Sequence, residues 1–393
     1  MSFTTTDLKT AAHNLHGYLL KEHWTGQALV GPDPGIRFNA RIGRFIKGYL
    51  NFLPWSDNLV YLQAQGYWIF NNWLLAELAG EDHYRHLALA CSDYVLAAQQ
   101  PDGYWPYPNP EWRGRVATVE GCFAALGLLE SYARRGNDDY LEGAKKWYDY
   151  LLSGIGFRGQ ARAGMLAINY FAHQSGDGGG VPNNSTLVLW TLARLAELSR
   201  DDQVLATAAS LIRWLKHTQL ASGELPYAVG ATPAKDRIHF LCYQYNAFEF
   251  MDLVHYWRIT GDASVWPIME PLAAYLAGGL TEAGAARYDC AHAQPEVIYY
   301  TLAMAQALSQ ATSLGLGDFS RLVERAYGRV LSQQRQDGGF EFYSRGNYGF
   351  LSDQRSYPRY LAMILHHLLR EVQTRLARHE SVAPAINHQK QLS

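Results

Sequence analysis

Twelve residues from Tyr94 to Trp105, reading YVLAAQQPDGYW, constrain this chain more than any other stretch because their layout returns. Trp214 to Leu225 repeats an aromatic residue, an aliphatic one, Gln219, then Gly223 and an apolar residue two places on. Arg329 to Phe340 keeps Gln334, Gly338 and Phe340, while Tyr275 to Ala286 keeps Tyr275, Leu276 and Gly284 but has Leu280 at the glutamine position. A vestige lies between Trp147 and Gly156. Recurrence at roughly fifty to seventy residues points to a repeat architecture rather than a succession of unrelated domains.

Helical periodicity fills the intervals. Mostly apolar segments are expected at 58–79, 117–135, 184–199, 239–260, 293–314 and 352–378. More polar, amphipathic ones are expected at 82–100, 138–153, 202–219, 262–279 and 317–334, with 5–22 and 40–51 available for a sixth. Within each pair the connection is short, as in Gly80-Glu81-Asp82, Gly136-Asn137-Asp138, Gly261-Asp262 and Gly317-Asp318. Glycine can take the left-handed position after a helix, and Asp or Asn can cap the next. Between pairs the connections are long and rich in Gly, Pro and aromatic residues. Six hairpins of this kind predict an all-α fold, a single (α/α)6 toroid over 1–378 followed by a polar, disordered tail at 379–393. The apolar helices would form the inner ring and the amphipathic ones the outer. The long loops would then gather at one end, around the mouth of a central pocket.

Composition narrows the function. Hydrophobic residues make up 48% and charged residues 18% of the 393, with 11 Trp and 26 Tyr, enough to line a large cavity. A net charge of -2 without a dense cationic run provides no footprint for nucleic acid. The N-terminal residues lack a charged and apolar leader, and no apolar run is long enough for a membrane span, so a cytoplasmic location is expected. Cys91, Cys122, Cys242 and Cys290 are scattered without a CxxC pair, which suits reduced thiols in the cytosol. Gly176 to Thr186 is glycine-rich but lacks the Lys-Ser/Thr of a phosphate loop, so no cofactor is expected.

Tyr94 to Trp105 resembles the QW motif of the terpenoid cyclase and protein prenyltransferase toroids, and Trp214 to Leu225 and Arg329 to Phe340 resemble degenerate copies. Six-hairpin carbohydrate-active enzymes carry similar turns. The motif copies cover about a tenth of the chain and the hairpin layout nearly all of it, so the resemblance implies a toroid and leaves the chemistry open. The DxDD acid of class II terpene cyclases is absent, since Asp138-Asp139 and Asp201-Asp202 fall in short turns on the closed side. Prenyltransferases bind zinc through separated Asp, Cys and His residues, whereas Asp289, Cys290 and His292 are crowded together, so no metal is expected.

The mouth loops supply the site candidates. Trp105, Tyr107, Trp112, Arg113, Arg115 and Glu120 combine aromatic faces, guanidinium groups and a carboxylate, a set suited to an acidic sugar ring. Asn183 and Asn184 open the third inner helix. His239, Tyr243, Gln244 and Asn246 open the fourth, with His239 and Tyr243 placed as base and acid. Pro295 and Glu296, with Tyr299 and Tyr300, open the fifth. Tyr343, Arg345, Tyr348, Asp353, Arg355, Tyr357 and Arg359 form the densest Arg/Tyr run, with Arg355 and Arg359 expected on one helix face. Tyr61, Gln63, Gln65, Tyr67, Trp68 and Asn71 on the first inner helix either knit the ring together or face a wet pocket.

These features favour a carbohydrate-active enzyme working on an acidic or polyhydroxylated saccharide by lyase, epimerase or hydrolase chemistry. A small-molecule or oligosaccharide substrate is the expected partner, and the oligomeric state is left open. In the lyase version His239 or Tyr243 takes the proton; in the hydrolase version Glu120, Glu296 and Asp353 are the carboxylates. The alternatives are an isoprenoid-handling enzyme without DxDD or a zinc triad, and a non-catalytic toroid that binds a glycan or protein.

Overall fold

The computed structural model describes residues 3–34, 46, 50, 58–112, 114–160, 164–173, 180–230, 242–344 and 355–389. Six helices form an inner ring: α2 (Leu62–Ala79), α4 (Thr118–Arg135), α6 (Pro182–Ser199), α8 (Cys242–Thr260), α10 (Ile298–Ser313) and α12 (Pro358–Gln389). Each packs on the next, and α12 returns to α2. The outer ring is α1 (Thr5–Glu22), α3 (Asp82–Ala97), α5 (Asp138–Tyr150), α7 (Ala208–Thr218), α9 (Trp266–Ala277) and α11 (Ser320–Leu331). The N-terminal helix therefore supplies the sixth outer member, packing on α12. Most of 40–51 lies outside the described residues.

Burial explains the division. On α10 every residue from Ile298 to Ala311 is buried, which requires neighbours all round. On α11 only Val323, Ala326, Tyr327 and Val330 are buried, a single stripe at helical spacing that leaves the opposite face to water. Tight turns reverse the chain at Gly80, Gly136 and Gly261, all near φ +70°. Asn137 and Asp262 then accept hydrogen bonds from the amides of Asp139 and Ser264.

The recurrent glutamines are joints between outer helices. Gln99 Nε2 donates to Gly103 O at 2.9 Å and Gly143 O at 2.8 Å. Gln219 does the same with Gly223 O and Ile268 O, and Gln334 with Gly338 O and Ala11 O. The last pair joins α11 to α1 and so closes the ring. Each motif glycine has a positive φ, and a Cβ there would approach a carbonyl oxygen of the next outer helix: Lys146 at 2.3 Å from Gly103, Pro271 at 2.2 Å from Gly223, Asn14 at 2.4 Å from Gly338. Gly284 meets Arg325 O in the same way although Leu280 replaces the glutamine.

Several boundaries differ from expectation. An antiparallel hairpin, β1 (Phe157–Gln160) and β2 (Met165–Ile168), follows α5 and was not foreseen. The last inner helix begins at Pro358, which lacks an N–H and fits only the first turn, so Arg355 precedes the helix instead of sharing a face with Arg359. Likewise α10 begins at Ile298, leaving Pro295 and Glu296 in the loop. Helix α12 continues to Gln389, into the stretch read as a tail. No described helix is long and apolar enough to cross a membrane.

Candidate active site

The first turns of all six inner helices converge on a central cavity of about 110 Å³ that opens to solvent. Side chains three or four residues apart share a helix face. Gln63 and Tyr67, Asn183 and Leu187, and Tyr245, Phe248 and Asp252 therefore point inward together. Tyr299, Arg359, Tyr360 and Met363 complete the helical wall, and Tyr107, Tyr170 and Tyr227 reach in from the loops. Neighbouring loops are stitched by isolated backbone bridges, Ala117 with Phe171 and Gly180 with Val229, which holds these tyrosines in place. One helical turn deeper the centre is closed by rings. Phe70 lies 5.9 Å from Trp190 and 5.9 Å from His366, and Trp190 stacks on His255 at 4.3 Å. Burial holds both histidines well below their usual pKa, so this floor is uncharged.

Arg359 is the cation of the cavity wall, and it is already engaged. Its Nη2 donates to Asp33 Oδ1 at 3.0 Å and its Nε lies 2.8 Å from Asp33 Oδ2. The guanidinium also sits over Tyr61 at 4.4 Å and over Tyr360 at 4.6 Å. Burial is the largest influence and opposes its charge, but Asp33 together with Tyr360, Tyr61 and Tyr107 outweighs it and holds its pKa above the ordinary value. Asp252 is the acidic counterpart. Its Oδ2 accepts from Thr186 Oγ1 at 3.0 Å, and burial raises its pKa well above the ordinary carboxylate value, which favours the protonated form. Asn184 Nδ2 and Gln244 Oε1, both on the cavity wall, have no hydrogen-bond partner among the described residues. A buried donor and a buried acceptor left open in this way are costly unless a ligand or water meets them.

No sequence-family profile matches the chain, and no curated protein matches it in sequence. Solved structures do match its fold. A cellobiose 2-epimerase from Bacillus thermoamylovorans superposes with a TM-score of 0.70 at 15% identity, over 94% of this chain and 100% of that one. A family 76 glycoside hydrolase from a bovine Bacteroides thetaiotaomicron strain gives 0.67 at 13% identity, over 94% and 79%. A type II terpene cyclase from Scytonema, in complex with geranylgeranyl dihydroxybenzoate, gives 0.60 at 15% identity, over 94% and 98%. The chain is an α/α toroid. At these identities the likeness concerns the fold, and the toroid's chemistry must be argued from its own residues.

Of the residues named from sequence, the toroid brings Gln63, Tyr67, Tyr107, Asn183, Asn184, Gln244, Tyr299 and Arg359 to the cavity. Others serve the frame. Trp105 is buried, donating to Val95 O at 2.8 Å. Asn246 clamps Leu225 through its N–H and C=O at 2.8 and 2.9 Å. Tyr243 stacks on Tyr275 between α8 and α9. Glu296 is tied to the outer ring by Arg329, Gln333 and Ser344. Burial opposes its charge, but these hydrogen bonds prevail and hold its pKa below the usual carboxylate value. Tyr343 packs on Phe342, Arg355 donates to Tyr357 OH, and Arg115 lies over Trp112 and Phe171. Glu120 stands behind the wall, accepting the Leu62 and Gln63 amides at the start of α2. His239, Asp353, Arg113 and Arg345 lie outside the described residues. Tyr170, Tyr227, Tyr245, Phe248, Asp252 and Tyr360 were not singled out. An acid at position 252, seven residues after Tyr245 on an apolar helix, was the available signal.

Proposed function

We propose that this toroid is a carbohydrate-active enzyme that takes a neutral, polyhydroxylated saccharide into its central cavity and uses Asp252 as a proton-donating acid. The observation that carries this reading is a cavity walled by tyrosines, with an open amide donor and acceptor, a buried carboxyl group, and an arginine already paired with Asp33. Apolar sugar faces suit the rings, and hydroxyl groups suit the open amides and phenols. Among the described residues Arg359 is the one cation on the cavity wall, and it is committed to Asp33. That weighs against the uronate lyase version and favours hydrolase or epimerase chemistry, the activities by which two of the similar structures are known. A buried acid whose pKa is raised can protonate a leaving oxygen or reprotonate a carbon. An isoprenoid pocket would instead be walled by hydrocarbon.

The test is a turnover screen of neutral disaccharides and oligosaccharides, read by chromatography for shortened or epimerised products. Uronate polymers and a prenyl diphosphate are run in parallel. The expected result is conversion of a neutral saccharide by the native chain and its loss in Asp252→Asn with binding retained. Turnover of a uronate polymer or a prenyl diphosphate, with none of any neutral sugar, would overturn the proposal.

A further inference from the structure

Two of the four scattered cysteines meet. Cys242, the buried first residue of α8, lies with its Sγ 3.3 Å from Sγ of Cys290, an exposed residue of the loop before α10. A covalent disulfide is about 2.0 Å long, so closure requires a movement of little more than 1 Å. The loop is built to hold that position. Asp289 Oδ1 accepts from the amides of Ala291 and His292 at 2.8 and 2.7 Å, and also meets His292 Nδ1 at 2.9 Å. These contacts fold residues 289–292 into a tight turn around Cys290. The Arg287 amide anchors the near side of the turn by donating to Gly279 O at 2.9 Å. Among the described residues no third His, Cys, Asp or Glu joins the two sulfurs in a metal-binding group. A close dithiol with one exposed member and no further ligand has redox chemistry open to it.

We propose that Cys242 and Cys290 form a reversible dithiol–disulfide pair, oxidised by hydroperoxides, that fastens the start of the cavity helix α8 to the loop of the following hairpin. The exposed Cys290 thiolate attacks the peroxide, the O–O bond breaks, and the sulfur becomes a sulfenic acid while water leaves. The Cys242 thiol then displaces the sulfenic oxygen, which departs as a second water, and the S–S bond forms. Two thiols are oxidised and one hydroperoxide is reduced. A dithiol reductant reverses the step by thiol–disulfide exchange. Gln244, Tyr245, Phe248 and Asp252 follow Cys242 on the same helix, so the crosslink acts on the element that carries much of the cavity wall. Cys91 and Cys122 are buried elsewhere and serve as internal controls.

The test treats the full-length chain with hydrogen peroxide, then counts thiols in denaturant and maps peptides by mass spectrometry without reduction. The expected count falls from four to two, with one crosslinked peptide joining residues 242 and 290, and dithiothreitol restores all four. Cys290→Ser abolishes the intramolecular crosslink and leaves the other three thiols intact, whereas Cys242→Ser abolishes it and leaves Cys290 as a sulfenic acid that a dimedone probe traps. Four thiols after treatment, a crosslink between other cysteines, or Cys290 driven to sulfinic acid with Cys242 untouched would overturn the proposal.

Discussion

Glu120 offers the sharpest test of how the inner ring is held, because its chemistry can be switched without changing its shape. Its carboxyl group is fully buried, with Oε2 accepting the Leu62 and Gln63 amides and Oε1 without a partner among the described residues. Burial raises its pKa most, Arg359 and the two amides pull it back, Asp33 raises it again, and the result is pushed up to about 7. Because the folded value exceeds the unfolded one, the group's contribution is whole below pH 4.5 and is lost as pH rises through the folded pKa. Moving from 4.5 to about 7, at about 1.4 kcal/mol per pH unit, removes about 3 kcal/mol by neutral pH. Glu120→Gln reproduces the protonated form, since the amide oxygen can accept from Leu62 and the NH2 occupies the place of the acid proton. The variant should therefore match the native chain near pH 4.5 and exceed it by about 3 kcal/mol above pH 7.5. With roughly 2 cal/mol/K of unfolding entropy per residue over this length, that corresponds to about 4 °C in Tm. Paired thermal melts from pH 4.5 to 8.5 read the difference directly. A Tm difference that stays flat with pH, or that grows toward acid, would refute the reasoning.

Other consequences follow from the same geometry. Arg359→Leu removes the guanidinium that faces the buried Asp33 carboxylate and should cost about 3–5 kcal/mol, with part of it recovered in the double variant with Asp33→Leu; chemical denaturation of the three variants decides. Gly338→Ala places a Cβ 2.4 Å from Asn14 O at φ +87° and should lower stability by at least about 2 kcal/mol, because the ring closes there. Gln334→Leu leaves the carbonyls of Ala11 and Gly338 without their side-chain donor and should cost about 2 kcal/mol in the same assay. Catalysis that needs protonated Asp252 should fall as pH rises through its elevated pKa. In Asp252→Asn that alkaline limb should vanish from the residual rate.

The toroid was legible because its rules are local. Glycine followed by Asp or Asn marked the tight turns, apolar periodicity separated the rings, and the glutamine motif marked each joint. The cavity was legible only in part. Asn183, Asn184, Tyr299 and Arg359 sit where the helix phase sends them inward, and Tyr107 reaches in from its loop. Glu120 and Asn246 have equally suitable chemistry, but phase turns them to neighbouring backbone. Glu296 stayed in its loop because α10 begins later than expected, within reach of Arg329. The ion pair of Arg359 depends on Asp33, 326 residues away along the chain, and only ring closure brings them together. The approach of Cys242 to Cys290 is of the same kind, a contact between neighbouring hairpins that spacing cannot reveal.

The most direct test of the central claim is saturation-transfer NMR of neutral oligosaccharides against the native chain and Asn184→Leu. The leucine removes the open amide donor from the cavity wall. The account predicts transfer to a neutral saccharide with the native chain, loss of that signal in the variant, and no comparable transfer to uronates. Transfer that survives Asn184→Leu unchanged, or that appears only with uronates or prenyl chains, would contradict it.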